Sequence, residues 1–175
     1  MVELEEDVSP ASRPQIQWVT WSNEIKATNT RTEDDGRTVI FESGNYRYCR
    51  SEQEFESGSH RYEIEVNWGG KQSDVSFGVC YDGLNFRTDS GVYYFTNAYI
   101  YCNYYPSFTN HYTNIHNQTP PKLAENQTVA VNFDFDEKKI WWEINGQEYE
   151  KLSFDTQNKP AFLVVGTFAG TIKFV

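Results

Sequence analysis

Between Arg61 and Trp68 the chain alternates residue by residue. Tyr62, Ile64, Val66 and Trp68 fall on one face of an extended segment, and Arg61, Glu63, Glu65 and Asn67 fall on the other. A period of two predicts a strand with one buried and one wet face. Gly69-Gly70-Lys71-Gln72-Ser73-Asp74 supplies a turn, and Val75, Phe77, Val79 and Tyr81 resume the alternation on a second strand. A second alternating unit runs near the other end. Val129, Val131, Phe133 and Phe135 share a face, residues 136–139 turn the chain, and Ile140, Trp142 and Ile144 return on one face. Asn145-Gly146 then offers the positive-φ pair of a two-residue hairpin.

Shorter extended segments are predicted at 16–20, 24–28, 38–42, 46–50, 91–95, 98–103, 161–165 and 171–175. Glu33–Gly36 and Ser43–Asn45 read as turns. No segment carries a capped apolar stripe at i, i+3, i+4 and i+7, so no helix is expected. Many short strands separated by Gly and Asn turns predict an all-β, two-sheet antiparallel sandwich.

Composition sharpens this picture. At 175 residues the chain fits a single domain with a sizeable core, and aromatic residues make up 17% of it. Rings of that kind suit pleated, half-buried surfaces. The formal charge of −10 disfavours nucleic acid and anionic membranes as partners. Part of that charge is local. Glu3, Glu5, Glu6 and Asp7, followed by Ser9-Pro10 and Pro14, make residues 1–14 read as a flexible acidic leader to a domain over 15–175. Cys49, Cys80 and Cys102 are odd in number and widely spaced, which points to free thiols and an intracellular, cytoplasmic setting. No apolar run approaches the ~20 residues of a membrane helix. The sequons at Asn117 and Asn126 read as chance matches in the absence of a secretion signal.

Catalytic and metal chemistry find little support. His60, His111 and His116 stand apart from every cysteine, so no zinc-ligand spacing arises. Asp134 and Asp136 flank a hairpin turn and read as turn chemistry, not as calcium ligands. No Gly-x-Ser-x-Gly elbow, phosphate loop or dinucleotide fingerprint is present. Glu63 and Glu65 project from one face at about 6.7 Å of rise, near the separation used in two-carboxylate glycoside hydrolysis. Sandwich glycosidases of that kind carry a further acid, and here Asn67-Trp68 stands in its place. No cofactor and no metal are expected.

Binding chemistry concentrates between Val92 and Tyr112. Tyr93, Tyr94, Tyr99, Tyr101, Tyr104, Tyr105 and Tyr112 lie there with Phe95 and Phe108. Their alternation is poor, which predicts that several rings face outward. Tyrosine gives a large apolar contact with a polar handle, a combination enriched at recognition surfaces.

Gly58-x-His60-x-Tyr62-Glu63-x-x-Val66 leading into Phe77-Gly78-Val79 resembles the centre of the SPRY (B30.2-like) domain. Val129–Asp136 with Lys139–Gly146 is similar to that family's late hairpin, and Pro160–Val165 with Thr171–Val175 to its closing strands. The resemblance spans residues 16–175. It implies a concanavalin A-like jelly-roll sandwich that recognises a short peptide or protein epitope through loops at one end. By the same resemblance Tyr93 or Tyr94 matches a contact tyrosine, and Phe168 takes the place of a contact tryptophan. The segment Arg31–Arg37 matches a basic contact loop in adaptor-type members. Here that segment is acidic, apart from Arg31 and Arg37, which hints at a basic or neutral ligand.

The resulting expectation is a non-catalytic protein-interaction module, part of a larger adaptor, scaffold or ubiquitin-ligase-type protein and monomeric as an isolated domain. Its expected ligand-binding residues are Tyr93, Tyr94, Tyr101, Tyr104, Tyr105, Phe168, Arg31 and Arg37. A carbohydrate-binding lectin of the same architecture is the alternative, and a sandwich glycosidase a third reading.

Overall fold

The computed structural model describes residues 19–26, 29–42, 46–70, 74–81, 97–103, 107–110, 113–114 and 118–175. Among these the chain forms fifteen strands and a single three-residue 3-10 turn, η1 (Asp34–Gly36). In chain order the strands are β1 (Trp21–Lys26), β2 (Thr30–Glu33), β3 (Thr38–Phe41), β4 (Arg47–Ser51), β5 (Ser59–Asn67) and β6 (Val75–Tyr81). There follow β7 (Ala98–Cys102), β8 (Ser107–Asn110), β9 (Thr113–Asn114), β10 (Thr128–Asp134) and β11 (Lys139–Ile144). The series closes with β12 (Gln147–Glu148), β13 (Leu152–Ser153), β14 (Ala161–Thr167) and β15 (Gly170–Phe174).

These strands make two antiparallel sheets. The first runs β1-β4-β14-β6-β7-β8-β9. The second runs β12-β11-β10-β5-β15-β3-β2, with β13 also beside β11. The alternation of β5, β10 and β11 sets the register. Val131 lies opposite Tyr62 and Trp142 while Val129 lies opposite Ile64 and Ile144, so every inward ring or branched chain meets another. Ile64, Val129, Val131, Phe133, Ile140 and Trp142 are fully buried. The indole N–H of Trp142 donates across the gap between the sheets to the carbonyl of Phe77 at 3.1 Å. The ring of Trp142 stacks on Phe108 at 4.9 Å.

At β6 and β7 the first sheet is buried on both faces, which the half-wet expectation for residues 75–81 did not include. All seven residues of β6 are buried, Ser76 and Cys80 among them. Cys80, Ala98, Ile100, Val164, Tyr46 and Tyr48 form a second apolar cluster on the outer face, with the Arg50 guanidinium 3.7 Å above the ring of Phe162. Gly166 is required there. A Cβ on it would stand 2.5 Å from the Tyr48 ring and 2.7 Å from that of Tyr46.

Turn chemistry follows the sequence. Asn145 and Gly146 take φ of 50° and 78° between β11 and β12, and Asp134 Oδ1 accepts the backbone N–H groups of Asp136 and Glu137. The acidic leader at 1–14 and the extended segment at 91–95 lie outside the described residues. The segment at 16–20 does so in part, and β1 begins just after it and overlaps the expected segment at 24–28, of which residues 27 and 28 lie outside the described residues.

Candidate protein-interaction surface

Phe168 and Val175 are the exposed large hydrophobic side chains among the described residues, and Phe168 keeps 43% of its surface open. Phe168-Ala169 is the link by which the chain leaves β14 in one sheet and enters β15 in the other. Thr167 Oγ1 donates to the Ala169 carbonyl at 3.1 Å. Gly170, at φ +129°, brings the backbone against Trp68 so closely that a Cβ would lie 2.8 Å from the Asn67 carbonyl oxygen. The ring of Phe168 meets that of Tyr46 edge-on at 4.8 Å. Tyr46 is itself fixed, its hydroxyl 2.8 Å from Ser76 Oγ and 3.0 Å from the Gly166 carbonyl. An exposed aromatic side chain is thus held in place before any partner arrives, the arrangement that lowers the ordering cost of binding.

Strand register places several connections at this end: β3 to β4, β5 to β6, and β7 to β8. Asn103, at the head of the last, accepts the backbone N–H of Leu123 at 2.6 Å on its Oδ1 and so ties the segment before β10 to the sheet. Asp74 closes the β5–β6 connection. It is 5% exposed, and its Oδ1 meets no hydrogen-bond partner. Burial pushes its carboxyl up to about 7, against the smaller opposing pulls of the Val75 backbone N–H and Lys122. Burial likewise holds the Tyr46 hydroxyl well above its ordinary range, with Asp74 adding to the effect.

The expected contact residues separate on this frame. Phe168 stands at the exposed end. Tyr101 does not join it: the residue is fully buried, and its hydroxyl lies 2.9 Å from both Asn103 Oδ1 and the Pro121 carbonyl. The reason is regular alternation along β7, which turns Tyr99 and Tyr101 into the core while Ala98 and Ile100 face out. Tyr93, Tyr94, Tyr104, Tyr105 and Tyr112 lie outside the described residues.

Arg31 lies on β2, an edge strand, opposite Ile40. Its guanidinium pairs with Glu33 at 3.2 Å and Glu42 at 3.0 Å, both exposed. Ion pairs of this kind contribute about 0–1 kcal/mol. Arg37 follows η1 at the far end of the sandwich, where its carbonyl accepts the Phe174 N–H. Arg37 and Phe168 therefore sit at opposite ends of β3 and β15 and do not build one surface. Tyr46 and Asp74 were missed as site residues. Their local signals, an Asn before Tyr46 and a Ser before Asp74, look like ordinary turn ends.

Glu63, one of the two carboxylates weighed for hydrolysis, is engaged by Arg61 at 2.8 Å. The same guanidinium holds Glu143 at 2.9 Å. That bond keeps the Glu143 carboxyl below its usual range. Among the described residues no group of three or more His, Cys, Asp or Glu side chains is placed to hold a metal ion. No helix among them is long and apolar enough to cross a membrane.

The family model described as the SPRY domain matches residues 59–174. The chain belongs to the SPRY domain family. Among solved structures, the SPRY domain of human HERC1 superposes with a TM-score of 0.71 at 14% identity, covering 88% of this chain and 96% of that one. The TRIM65 PSpry domain gives 0.68 at 12% identity, over 90% and 88%. Stonustoxin gives 0.66 at 12% identity over 90% of this chain, which spans 27% of the toxin chain. No curated protein matches the sequence. SPRY domains are, as a family, generally non-catalytic interaction modules.

Proposed function

We propose that this SPRY domain recognises a short peptide or protein epitope through the loops at its Phe168 end, without transforming it. The observation that carries the reading is the exposed Phe168 ring, set edge-on against Tyr46 in a link whose Gly170 backbone packs against Trp68. Aromatic anchors surrounded by polar loops dominate binding energy at interfaces. The domain acts as the recognition part of a larger adaptor, scaffold or ubiquitin-ligase-type protein. Three free, buried cysteines support an intracellular place for it.

The test is selection of peptides from a random displayed library on the wild-type domain, followed by titration of the winners against Phe168→Ala. Loss of affinity by about 10-fold or more is expected, with an unchanged melting temperature because the ring is largely outside the core. Winners that bind the variant as tightly as wild type would place the site elsewhere. A glycan array that lights up where peptides do not would move the assignment to a lectin.

A further inference from the structure

We propose that recognition at the Phe168 end is switched by the proton on Asp74: the domain grips its partner while this carboxyl is protonated and buried, and releases it when the charged form turns out toward water. The inference rests on the binding surface proposed above and adds a control to it. Asp74 stands immediately before β6. It is 5% exposed, its Oδ1 meets no hydrogen-bond partner, and its carboxyl accepts the backbone N–H of Val75. Among the described residues it forms no ion pair. A carboxylate held in that way is a buried charge that nothing offsets, which is costly. The neutral acid is the form this position suits.

The neighbouring groups leave Asp74 as the one that switches. Tyr46, just before β4, and Tyr101, on β7, both feel its charge, with Cys102 beside them. Burial lifts both tyrosines further above their ordinary range, so neither changes charge near neutrality. Exposed Lys122, before β10, is the cation among the described residues whose pull reaches Asp74. Lys71, in the same connection, lies outside the described residues.

The path from Asp74 to the surface is short. Asp74 and Ser76 are two apart on an extended chain and share a face. Ser76 Oγ lies 2.8 Å from the Tyr46 hydroxyl, and the Tyr46 ring meets Phe168 edge-on. Val75 between them is pinned, its carbonyl accepting the Asn103 N–H at 2.9 Å. Proton loss therefore moves the Asp74 side chain and the turn before it, not the strand. With the carboxylate turned toward Lys122 and water, the space beside Tyr46 empties and Phe168 loses its support. Binding and protonation are then linked in both directions. Because the protonated form is the one that binds, affinity falls about 10-fold between pH 6 and pH 8, and binding near neutrality takes up a fraction of a proton.

The probe is a histidine-free peptide from the display selection above whose binding requires Phe168. It is titrated calorimetrically into the full chain at pH 6, 7 and 8, in two buffers of different ionisation enthalpy. The loss of affinity with rising pH and the proton uptake are both expected in wild type. Both should vanish in Asp74→Asn, whose fold is checked by its melting temperature. A second measurement needs no peptide. In the ¹⁵N-labelled free chain the amides of Thr167, Ala169 and Gly170 should follow one titration with its midpoint near 7, absent from the variant. An affinity that ignores pH, without proton uptake, overturns the proposal, as does a pH dependence that survives in Asp74→Asn. Amides that do not move across this range overturn it too, even where selection yields no Phe168-dependent peptide. An empty selection counts against the surface itself, and the amide titration then decides the switch.

Discussion

Asp74 shows how one residue can set a pH dependence for the whole domain. Its carboxyl titrates at about 7 in the folded state because burial disfavours its charge, against an ordinary value of 3.8. Between those values the folded protein holds a proton that the unfolded chain has released. Stability contributed by this group is therefore greatest at and below pH 4 and is lost as pH rises through 7. Chemical unfolding at pH 5 and pH 8 should show the decline, and Asp74→Asn should flatten it and raise the midpoint at pH 8. A wild-type profile that rises with pH over this window and is unchanged in Asp74→Asn would show Asp74 is solvated. Trp142 makes a different point. Its indole bond to the Phe77 carbonyl is a buried polar link between the sheets, and Trp142→Phe keeps an aromatic ring there but removes that bond. A loss of about 0.5–1.5 kcal/mol in unfolding free energy is expected from the missing bond, read from denaturant midpoints.

At the scale of elements, β14 is where packing and recognition meet. Gly166 lets the Tyr46 and Tyr48 rings lie against the strand, and Phe168 stands two residues further on. Gly166→Ala should cost about 1–3 kcal/mol through overpacking. It should also weaken peptide binding, since Tyr46 supports the Phe168 ring. Intact binding in a destabilised Gly166→Ala variant would mean Phe168 does not rely on Tyr46. Such elements differ in how legible they are. β5, β6, β10 and β11 stand out in the sequence because one face of each is a run of apolar side chains at strict period two. The strands β2, β12 and β13 do not, being two to four residues long and mostly polar. For such short segments pairing decides the strand, and pairing is not local information. The same limit explains why Arg37 and Phe168 were expected together. Sequence shows that each lies at a strand end, but which end of the sandwich depends on the direction of every strand between them. Tyr101 was misplaced for a related reason: the Tyr-rich run alternates poorly as a whole, yet β7 within it alternates regularly and turns Tyr99 and Tyr101 into the core.

For the molecule as a whole, both faces of β6 and β7 are closed to water, and all three cysteines are buried. Cys80 is driven far above the usual thiol range by burial. A thiol reagent such as Ellman's should find no group in native buffer and three in denaturant. Reaction of one cysteine before unfolding would reveal that the outer face of β6 and β7 opens. The last strand has a further consequence. β15 runs down the middle of its sheet, and Phe174 and Val175 bond to Arg37 and Glu63 at the end away from Phe168. A tether fastened to the carboxyl group of Val175 would therefore hang the sandwich with Phe168 pointing out into the medium. Protein immobilised in that way should present the Phe168 surface to partners in solution.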